Sequence, residues 1–291
     1  MQWADVIGLG VAGNFTGHLE QAGEASDFTQ VNVSDTAAPK GIFPFYVPKS
    51  RDPSATPHFL HRMPISSHEI ILSSLEDNHQ IEPELSLYCT LTYRAGKVID
   101  IRPTRAMAHN DCSIRRPGAK KISEKKNWGP ASKGVAEHAL MLDEFSAGGV
   151  LDHCRLASYL LRDGVLHAYG QDSAISAYSY FYETLLEWLK TRLNTQQDEG
   201  PLEDIPGWLQ RAGHPQHALI SVGATRYTAF GETHFLRPGD RSIVVLYDQR
   251  LWALTDIEAR LLEPGPTVLE GMSVLDQLVS GPAPEARRTP A

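Results

Sequence analysis

The sequence is poor in cysteine and has no C-x-x-C pair. Its 291 residues include only Cys89, Cys112 and Cys154. An odd number of cysteines without paired spacing argues against a disulfide framework and against a thiolate zinc site. The cysteine pattern therefore favours a reducing compartment.

Long apolar runs and an excess of positive charge are also missing. No run approaches the ~18–20 apolar residues of a transmembrane helix, and residues 1–10 lack the pattern of a signal peptide. The 27 lysines and arginines are outnumbered by 35 acidic residues, giving a net charge of −8. A chain with this balance is a poor binder of nucleic acid or anionic membrane. We therefore expect a cytoplasmic protein with neither of these as a partner.

Composition changes along the chain and suggests three parts. Residues 1–67 are rich in glycine, serine and aspartate, and the prolines between Pro39 and Pro64 argue against a long helix there. We expect a small, loop-rich N-terminal part over 1–67 and a catalytic domain over 68–280. The last segment, 281–291, has three prolines and no large apolar residue, which predicts a disordered tail.

Short β-type segments dominate the central part of the chain. Apolar residues alternate with polar ones from Leu85 to Thr92, the period of two that is typical of a half-buried strand. The sequence RAGK at 94–97 predicts a hairpin turn between two such segments. The predicted strands cover 69–72, 84–94, 97–102 and 242–248.

One helix interrupts this β pattern. The spacing of three and four residues predicts an amphipathic helix over 174–194, with Ser173 as its N-cap. Together these elements predict an α+β protein that is mainly β, with one long helix. The apolar positions of the predicted helix are Ile175, Tyr178, Phe181, Tyr182, Leu185, Leu186, Leu189 and Leu193.

A G-x-G-x-x-G pattern occurs at Gly8, Gly10 and Gly13. A dinucleotide site needs a strand before this pattern, a helix after it and an acid about 20 residues further on. Asp35 lies at a suitable distance for this acid. The segment that follows, however, is rich in proline and does not have the pattern of a second β-α-β unit. The pattern favours a glycine-rich turn, and a nucleotide-dependent oxidoreductase remains an alternative.

Three acidic residues carry the strongest chemical signal. Glu82 and Glu84 lie two residues apart at the head of a predicted strand, so both carboxylates point to one face. Asp111 follows the next β region in the segment NDCSIR. Like charges on one face repel each other unless a cation lies between them, and magnesium prefers such carboxylates. The plainer interpretation of E-x-E alone is a solvated strand edge.

Two more segments add groups that suit an anionic ligand. SKG provides Lys133, and GATRYTAFGE, which leads to FLRPGD, has glycines at 223 and 231 whose backbone amides suit a site near a ligand. With E-x-E and NDCSIR, these segments resemble the fumarylacetoacetate hydrolase family in order and spacing over about 70–250. The resemblance implies a mixed β-sandwich or β-roll fold.

The resemblance also implies roles for individual residues. Glu82, Glu84 and Asp111 would hold Mg²⁺ or Mn²⁺. The segment NFTGHLEQAG would provide His18 as general base, and Lys133 would pair with the substrate carboxylate or the developing oxyanion. Arg115 and Thr225 would contact the substrate, and a homodimer is expected.

Several positions depart from the family pattern. Gln21 stands where relatives have a glutamate, with Glu20 one position earlier. Arg116 replaces an acid, and Ala136 replaces the aspartate of G-K-S-F-D, with Glu137 beside it. The threonine of the G-T-P turn corresponds to Ala224 or to Thr225. The predicted metal ligands are therefore intact, while the acid–base and substrate-binding parts are altered.

The resemblance implies a metal-dependent hydrolase or lyase for a 2-oxo or 1,3-diketo acid. Such an enzyme hydrolyses a C–C bond or decarboxylates its substrate through a metal-stabilised enolate. A hydratase or isomerase of the same fold is one alternative. A non-catalytic binding protein that kept the metal is another, which the loss of the acid at Gln21 favours.

Overall fold

The computed structural model describes residues 3–24, 28, 35, 37–49, 58–116, 118–263 and 269–282. Its helices are His18–Gln21 (α1), Tyr182–Thr195 (α2), Ile205–Arg211 (α3), Ala229–Thr233 (α4) and Leu254–Leu262 (α5). Its strands are Val6–Ala12 (β1), Gly41–Tyr46 (β2), Ile65–Ser66 (β3), Glu69–Ile71 (β4), His79–Gln80 (β5), Pro83–Arg94 (β6), Lys97–Asn110 (β7), Ser113–Ile114 (β8), Lys133–Val135 (β9), Leu140–Met141 (β10), Cys154–Arg162 (β11), Val165–Ala174 (β12), His217–Ala224 (β13), Arg241–Asp248 (β14) and Met272–Ser280 (β15). No helix in these ranges is long and apolar enough to cross a membrane.

Two large sheets form the frame, which confirms the predicted α+β, mainly β class. The first sheet has the order β2-β1-β13-β6-β7-β9-β3, with β10 beside β7, and the second has the order β12-β11-β14-β15-β4. A small third sheet pairs β5 with β8. One apolar core joins the sheets, since Leu85 and Leu87 of the first belong to the same buried cluster as Leu156 and Val244 of the second.

The long hairpin of β6 and β7 is the centre of the first sheet. Its turn is the predicted RAGK segment, where Ala95 and Gly96 have φ values of 50° and 76° and Arg94 pairs with Lys97. Positive φ at both central residues matches the right-handed twist of the strands. The hairpin was correctly predicted, and it extends to Asn110, beyond the predicted end of its second strand.

The long helix starts later than the periodicity predicts. Residues Ile175–Ala177 form a 3-10 turn, and α2 begins at Tyr182, so the predicted start at 174 and the Ser173 N-cap are wrong. The side chain of Asn14 accepts a hydrogen bond from Tyr180 N–H and donates one to its carbonyl, both at 2.9 Å. This contact satisfies the backbone of Tyr180 outside a helix.

The N-terminal glycines do not form the expected turn at all three positions. Gly8 and Gly10 lie inside β1, and only Gly13, with φ 73°, is at a turn. A Cβ atom on Gly10 would lie 2.2 Å from the ring of Phe43. These glycines therefore allow aromatic rings of β2 to lie against β1.

Residues 1–67 provide three strands of the first sheet, β1, β2 and β3. β1 pairs in parallel with β13 and antiparallel with β2, so this part of the chain is joined to the rest by backbone hydrogen bonds. The boundary at residue 67 stays a prediction. Of the predicted disordered tail over 281–291, residues 283–291 lie outside the described residues.

We expect Gly10→Ala to lower the free energy of unfolding by about 1–3 kcal/mol, the usual cost of overpacking. The added methyl group would collide with the Phe43 ring, which lines the candidate site described below. Urea denaturation of both proteins measures the change. Gly281→Ala is the control, because its Cβ would meet only atoms at 3.7 Å or more. Equal loss in both variants would contradict the role assigned to Gly10.

Candidate metal centre

The hairpin register brings the three predicted carboxylates together. Glu84 in β6 lies opposite His109 in β7, and the N–H of Asp111 donates to the carbonyl of Glu82 at 3.0 Å. One carboxylate oxygen from each of Glu82, Glu84 and Asp111 lies within 4.8 Å of the other two, and all three residues are buried. The predicted cluster therefore exists, and it is not a solvated strand edge.

Neighbouring groups fix the ends of both strands. The side chain of Asn110 accepts a hydrogen bond from Glu82 N–H at 3.1 Å and donates one to Ser242 of the second sheet at 3.1 Å. A bulge in β13 places Gly223 N–H 3.0 Å from Glu84 Oε2. The hydroxyl of Tyr178 donates to the Gly223 carbonyl at 2.7 Å. Both sheets thus help to position the carboxylates.

Three cations pair with two of the carboxylates. Lys126 Nζ lies 2.6 Å from both Glu82 Oε2 and Asp111 Oδ2. Lys133 Nζ lies 3.0 Å from Asp111 Oδ1, and Arg115 Nη2 lies 2.6 Å from Glu82 Oε1. These contacts give the buried negative charge a counter-charge, without which burial would be very costly.

Glu84 is the carboxylate that has no ion pair within the described residues. Burial, reinforced by the charges of Asp111 and Glu82, raises the pKa of Glu84 well above its usual range. Burial also disfavours the charged form of Glu82, but its two cationic partners outweigh burial and hold its pKa well below the usual range. Glu84 is therefore the member of the cluster that most needs a further cation in order to ionise.

The side chains of Lys133 and Arg115 both form further contacts with protein groups. The Lys133 ammonium is fully buried and also donates to the carbonyl of Cys112. Burial lowers the pKa of Lys133, although Asp111 opposes this shift. Arg115 also pairs with Glu24 at 2.7 Å, and two neutral side chains complete its contacts. These are Gln80 Oε1 at 2.5 Å and the hydroxyl of Tyr227 at 2.9 Å.

His18 lies at the same site, at the start of α1. Its Nδ1 is 2.9 Å from the carbonyl oxygen of Thr225. Because a carbonyl only accepts hydrogen bonds, this contact places the proton on Nδ1 and leaves the Nε2 lone pair available. Burial lowers the pKa of His18 below 6.5, against the opposing effect of Glu82. The imidazole is therefore neutral near pH 7 and able to accept a proton.

A narrow cavity of about 20 Å³, room for about one water molecule, joins these groups. His18, the three carboxylates and Lys126 all line it, together with apolar residues of β1 and β2. The predicted substrate contacts Arg115 and Thr225 and the predicted Lys133 are not among its lining residues. The Thr225 hydroxyl is buried and has no hydrogen-bond partner among the residues that the structure describes. The roles assigned to these residues stay predictions.

Gln21, the main departure from the family pattern, contacts a neighbouring loop. Its side chain accepts a hydrogen bond from Tyr227 N–H at 2.9 Å and donates to Glu232 at 2.5 Å. Glu20 is exposed. Gln21 therefore attaches α1 to the segment that follows β13, the segment that also holds His18 through Thr225.

Sequence reasoning missed Lys126 and Glu24. Glu24 lines the cavity and pairs with Arg115 and Lys125. Lys126 follows the 3-10 helix Ile122–Lys125 in a lysine-rich segment, KKISEKK, which is typical of a solvated surface. Only the position of this segment across the end of the hairpin makes Lys126 buried, and no local signal reveals that.

The donor set fits a hard divalent cation. Magnesium and manganese prefer carboxylate oxygens, and three such groups converge here. Within the described residues, the partners of both Asp111 oxygens and of Glu82 Oε1, all buried, are the cations of their ion pairs only. Cys112 is not a nucleophile candidate, because burial raises the pKa of its thiol to about 12.

Comparison with protein families gives one match that covers most of the chain. The model of a family of unknown function (DUF5718) matches residues 24–279. No curated protein sequence matches significantly.

Comparison with solved structures identifies the fold. A 2-keto-3-deoxyarabinonate dehydratase superposes with a TM-score of 0.53 and 12% identity, over 96% of this chain and 75% of that chain. A yeast fumarylacetoacetate hydrolase family protein superposes with a TM-score of 0.50 and 13% identity, over 98% of both chains. The fold predicted from the sequence resemblance is therefore confirmed.

Proposed function

Since the chain belongs to this family of unknown function (DUF5718), we propose its function from the site: a divalent-metal-dependent enzyme for a 2-oxo or 1,3-diketo acid. The reaction would be C–C bond hydrolysis or decarboxylation. The observation that carries the proposal is the convergence of three buried carboxylates and a buried histidine on one cavity. The dehydratase and hydrolase family proteins of similar fold add support. The expected homodimer and cytoplasmic location stay predictions.

The cation would be held by Glu82, Glu84 and Asp111, with Mg²⁺ and Mn²⁺ as the candidates. When bound, it supplies a Lewis acid that polarises the carbonyl oxygen of a chelating oxo acid. Adjacent carboxylate and carbonyl oxygens are the hard donors that such an ion prefers. A 2-oxo acid offers both donors side by side, whereas a simple carboxylic acid offers only its carboxylate, so the 2-oxo acid is the better ligand for such an ion.

The remaining chemistry belongs to the chain's own side chains. His18 would take a proton on Nε2 from water or from substrate carbon, because its Nδ1–H is held by the Thr225 carbonyl. Lys133 would steady Asp111 through its ion pair. Arg115 would position Glu82 in the same way, since its guanidinium is occupied by protein groups.

The direct test is turnover by EDTA-treated protein with and without Mg²⁺ or Mn²⁺. The substrates are oxaloacetate, which reports decarboxylation, and acylpyruvates, which report C–C hydrolysis. We expect turnover only with metal, and a loss of at least ~100-fold in Asp111→Asn, the scale for removing a group that acts in the transition state. Asp256→Asn is the control, because Asp256 is exposed on α5. Equal turnover after EDTA treatment would contradict metal dependence.

A non-catalytic binding protein is the second candidate. Two observations favour it: Gln21 replaces the expected acid and is engaged with Tyr227 and Glu232, and Lys126 already forms ion pairs with two of the carboxylates. Metal-dependent stabilisation without turnover of any oxo acid would select this candidate. Water addition or double-bond migration in the same substrate panel would select the hydratase or isomerase.

A further inference from the structure

Lys126 contacts the same carboxylates that would hold the metal. Its ammonium lies 2.6 Å from an oxygen of Glu82 and 2.6 Å from an oxygen of Asp111. A cation that shares these oxygens would be repelled by the ammonium at short range, and burial makes this repulsion strong. The ammonium and a divalent ion are therefore competitors for one carboxylate pair.

Of the three cations around the triad, Lys126 is the one best placed to move. Lys133 is fully buried, donates to the Cys112 carbonyl and does not line the cavity. Arg115 is held by side chains on four other residues. Lys126 lines the cavity beside the Phe43 ring, and its flexible four-carbon stem allows the ammonium to be redirected.

Charge balance indicates what must accompany the metal. The site holds three carboxylates and three cations, which pair with Glu82 and Asp111 but not with Glu84, so the group is neutral when all six are ionised. A divalent ion would add two positive charges to a buried site. Buried charge that lacks a partner is costly, so the displaced ammonium needs a new anion nearby.

We propose that Lys126 is a displaceable counter-ion that couples metal loading to anionic ligand binding. Without the metal, its ammonium pairs with Glu82 and Asp111. When the metal binds, the ammonium leaves these carboxylates and pairs with the anionic ligand in the cavity. Metal alone therefore binds weakly, and metal together with an anion binds tightly. This inference rests on the proposed metal-dependent function and names Lys126 as its positioning and coupling residue.

The test is Mn²⁺ affinity, measured by calorimetry on EDTA-treated protein with and without oxalate. Without oxalate, Lys126→Met is expected to bind Mn²⁺ at least ~10-fold more tightly than the wild type, which corresponds to ~1.4 kcal/mol. With saturating oxalate this advantage should shrink or vanish, since the wild-type ammonium then has a partner. Affinities are corrected for Mn²⁺–oxalate association in solution.

Lys125→Met is the matched control, because it removes the same charge one residue earlier from a lysine that pairs with Glu24 instead of the triad. It should bind Mn²⁺ like the wild type. Lys126→Gln, which keeps a polar side chain, is measured beside Lys126→Met and should shift affinity in the same direction. It keeps the test decisive if the methionine variant does not fold.

The outcomes separate this inference from the proposed function. If the wild type binds Mn²⁺ and neither Lys126 variant binds it more tightly, the ammonium does not compete with the metal. That result would overturn this inference but not the proposed metal-dependent function. If the Lys126 variants bind Mn²⁺ more tightly by the same factor with and without oxalate, the coupling to the anion would be overturned. Absence of Mn²⁺ binding in the wild type and in every variant, with and without oxalate, would instead overturn the metal-dependent function itself.

Discussion

Saturating Mn²⁺ is expected to raise the melting temperature of EDTA-treated protein by roughly 5–10 °C, and Glu84→Gln is expected to abolish this rise. A ligand at 100 times its Kd stabilises the folded state by about 2.7 kcal/mol, and each kcal/mol shifts the melting temperature of a domain this large by roughly 2–4 °C. Glu84 is decisive because it has no ion pair in the described part of the chain and accepts one backbone hydrogen bond.

Without metal, Glu84→Gln should be at least as stable as the wild type. Burial and like charge raise the pKa of Glu84, so an uncharged amide should be tolerated at least as well as the carboxyl group when no metal is present. Metal binding must remove the proton from Glu84, so the stabilisation by metal should shrink as the pH falls. Thermal scans of both proteins at pH 6 and pH 8, with and without Mn²⁺, measure all of these effects.

Glu203→Gln provides a matched control for this experiment. Burial raises the pKa of Glu203 to about 7, as burial does at Glu84, but Glu203 lines a separate cavity with Trp208 and Asp204. The substitution should therefore leave the response to Mn²⁺ unchanged. A full Mn²⁺ response in Glu84→Gln would place the ion elsewhere, and no response in the wild type would remove the basis of the metal site.

The part of this site that follows from local periodicity was predictable from the sequence. The spacing of two residues places Glu84 of β6 and Glu82, which precedes that strand, on one face, and the RAGK turn fixes a hairpin whose second strand, β7, ends one residue before Asp111. Both signals are short-range, because strand alternation and turn geometry depend on neighbouring residues. The resemblance to the fumarylacetoacetate hydrolase family added the fold, which the structure comparison confirms.

The parts that escaped prediction depend on contacts between distant segments. The start of α2 is set by Asn14, which binds the backbone of Tyr180 across 166 positions of sequence. The role of Gly10 depends on the Phe43 ring that covers it. The burial of Lys126 depends on Glu82 and Asp111, which lie at the open end of the β6–β7 hairpin. Neither residue propensity nor periodicity encodes such contacts. The lysine-rich segment therefore looks like an exposed surface in the sequence, although its Lys126 pairs with the carboxylates of the site.

His18→Asn is expected to reduce kcat by about 10²–10⁴-fold, the usual contribution of a general base, while leaving the Mn²⁺-dependent rise in melting temperature intact. Asparagine can still donate a hydrogen bond to the Thr225 carbonyl, so the local structure should persist, but it has no lone pair that accepts a proton near neutrality. Steady-state kinetics at saturating Mn²⁺ measure the loss. His68→Asn, a change at an exposed histidine, should leave kcat unchanged.

The pH profile separates a base from a merely structural His18. Burial lowers the pKa of His18 below 6.5, so the wild-type imidazole is neutral at pH 7 and kcat should fall only as the pH drops through that lowered pKa. Saturating metal is needed throughout, because protons also compete for Glu84. The residual activity of His18→Asn should not show this fall in kcat at low pH. If the variant keeps both the wild-type kcat and the fall at low pH, another group in the cavity transfers the proton.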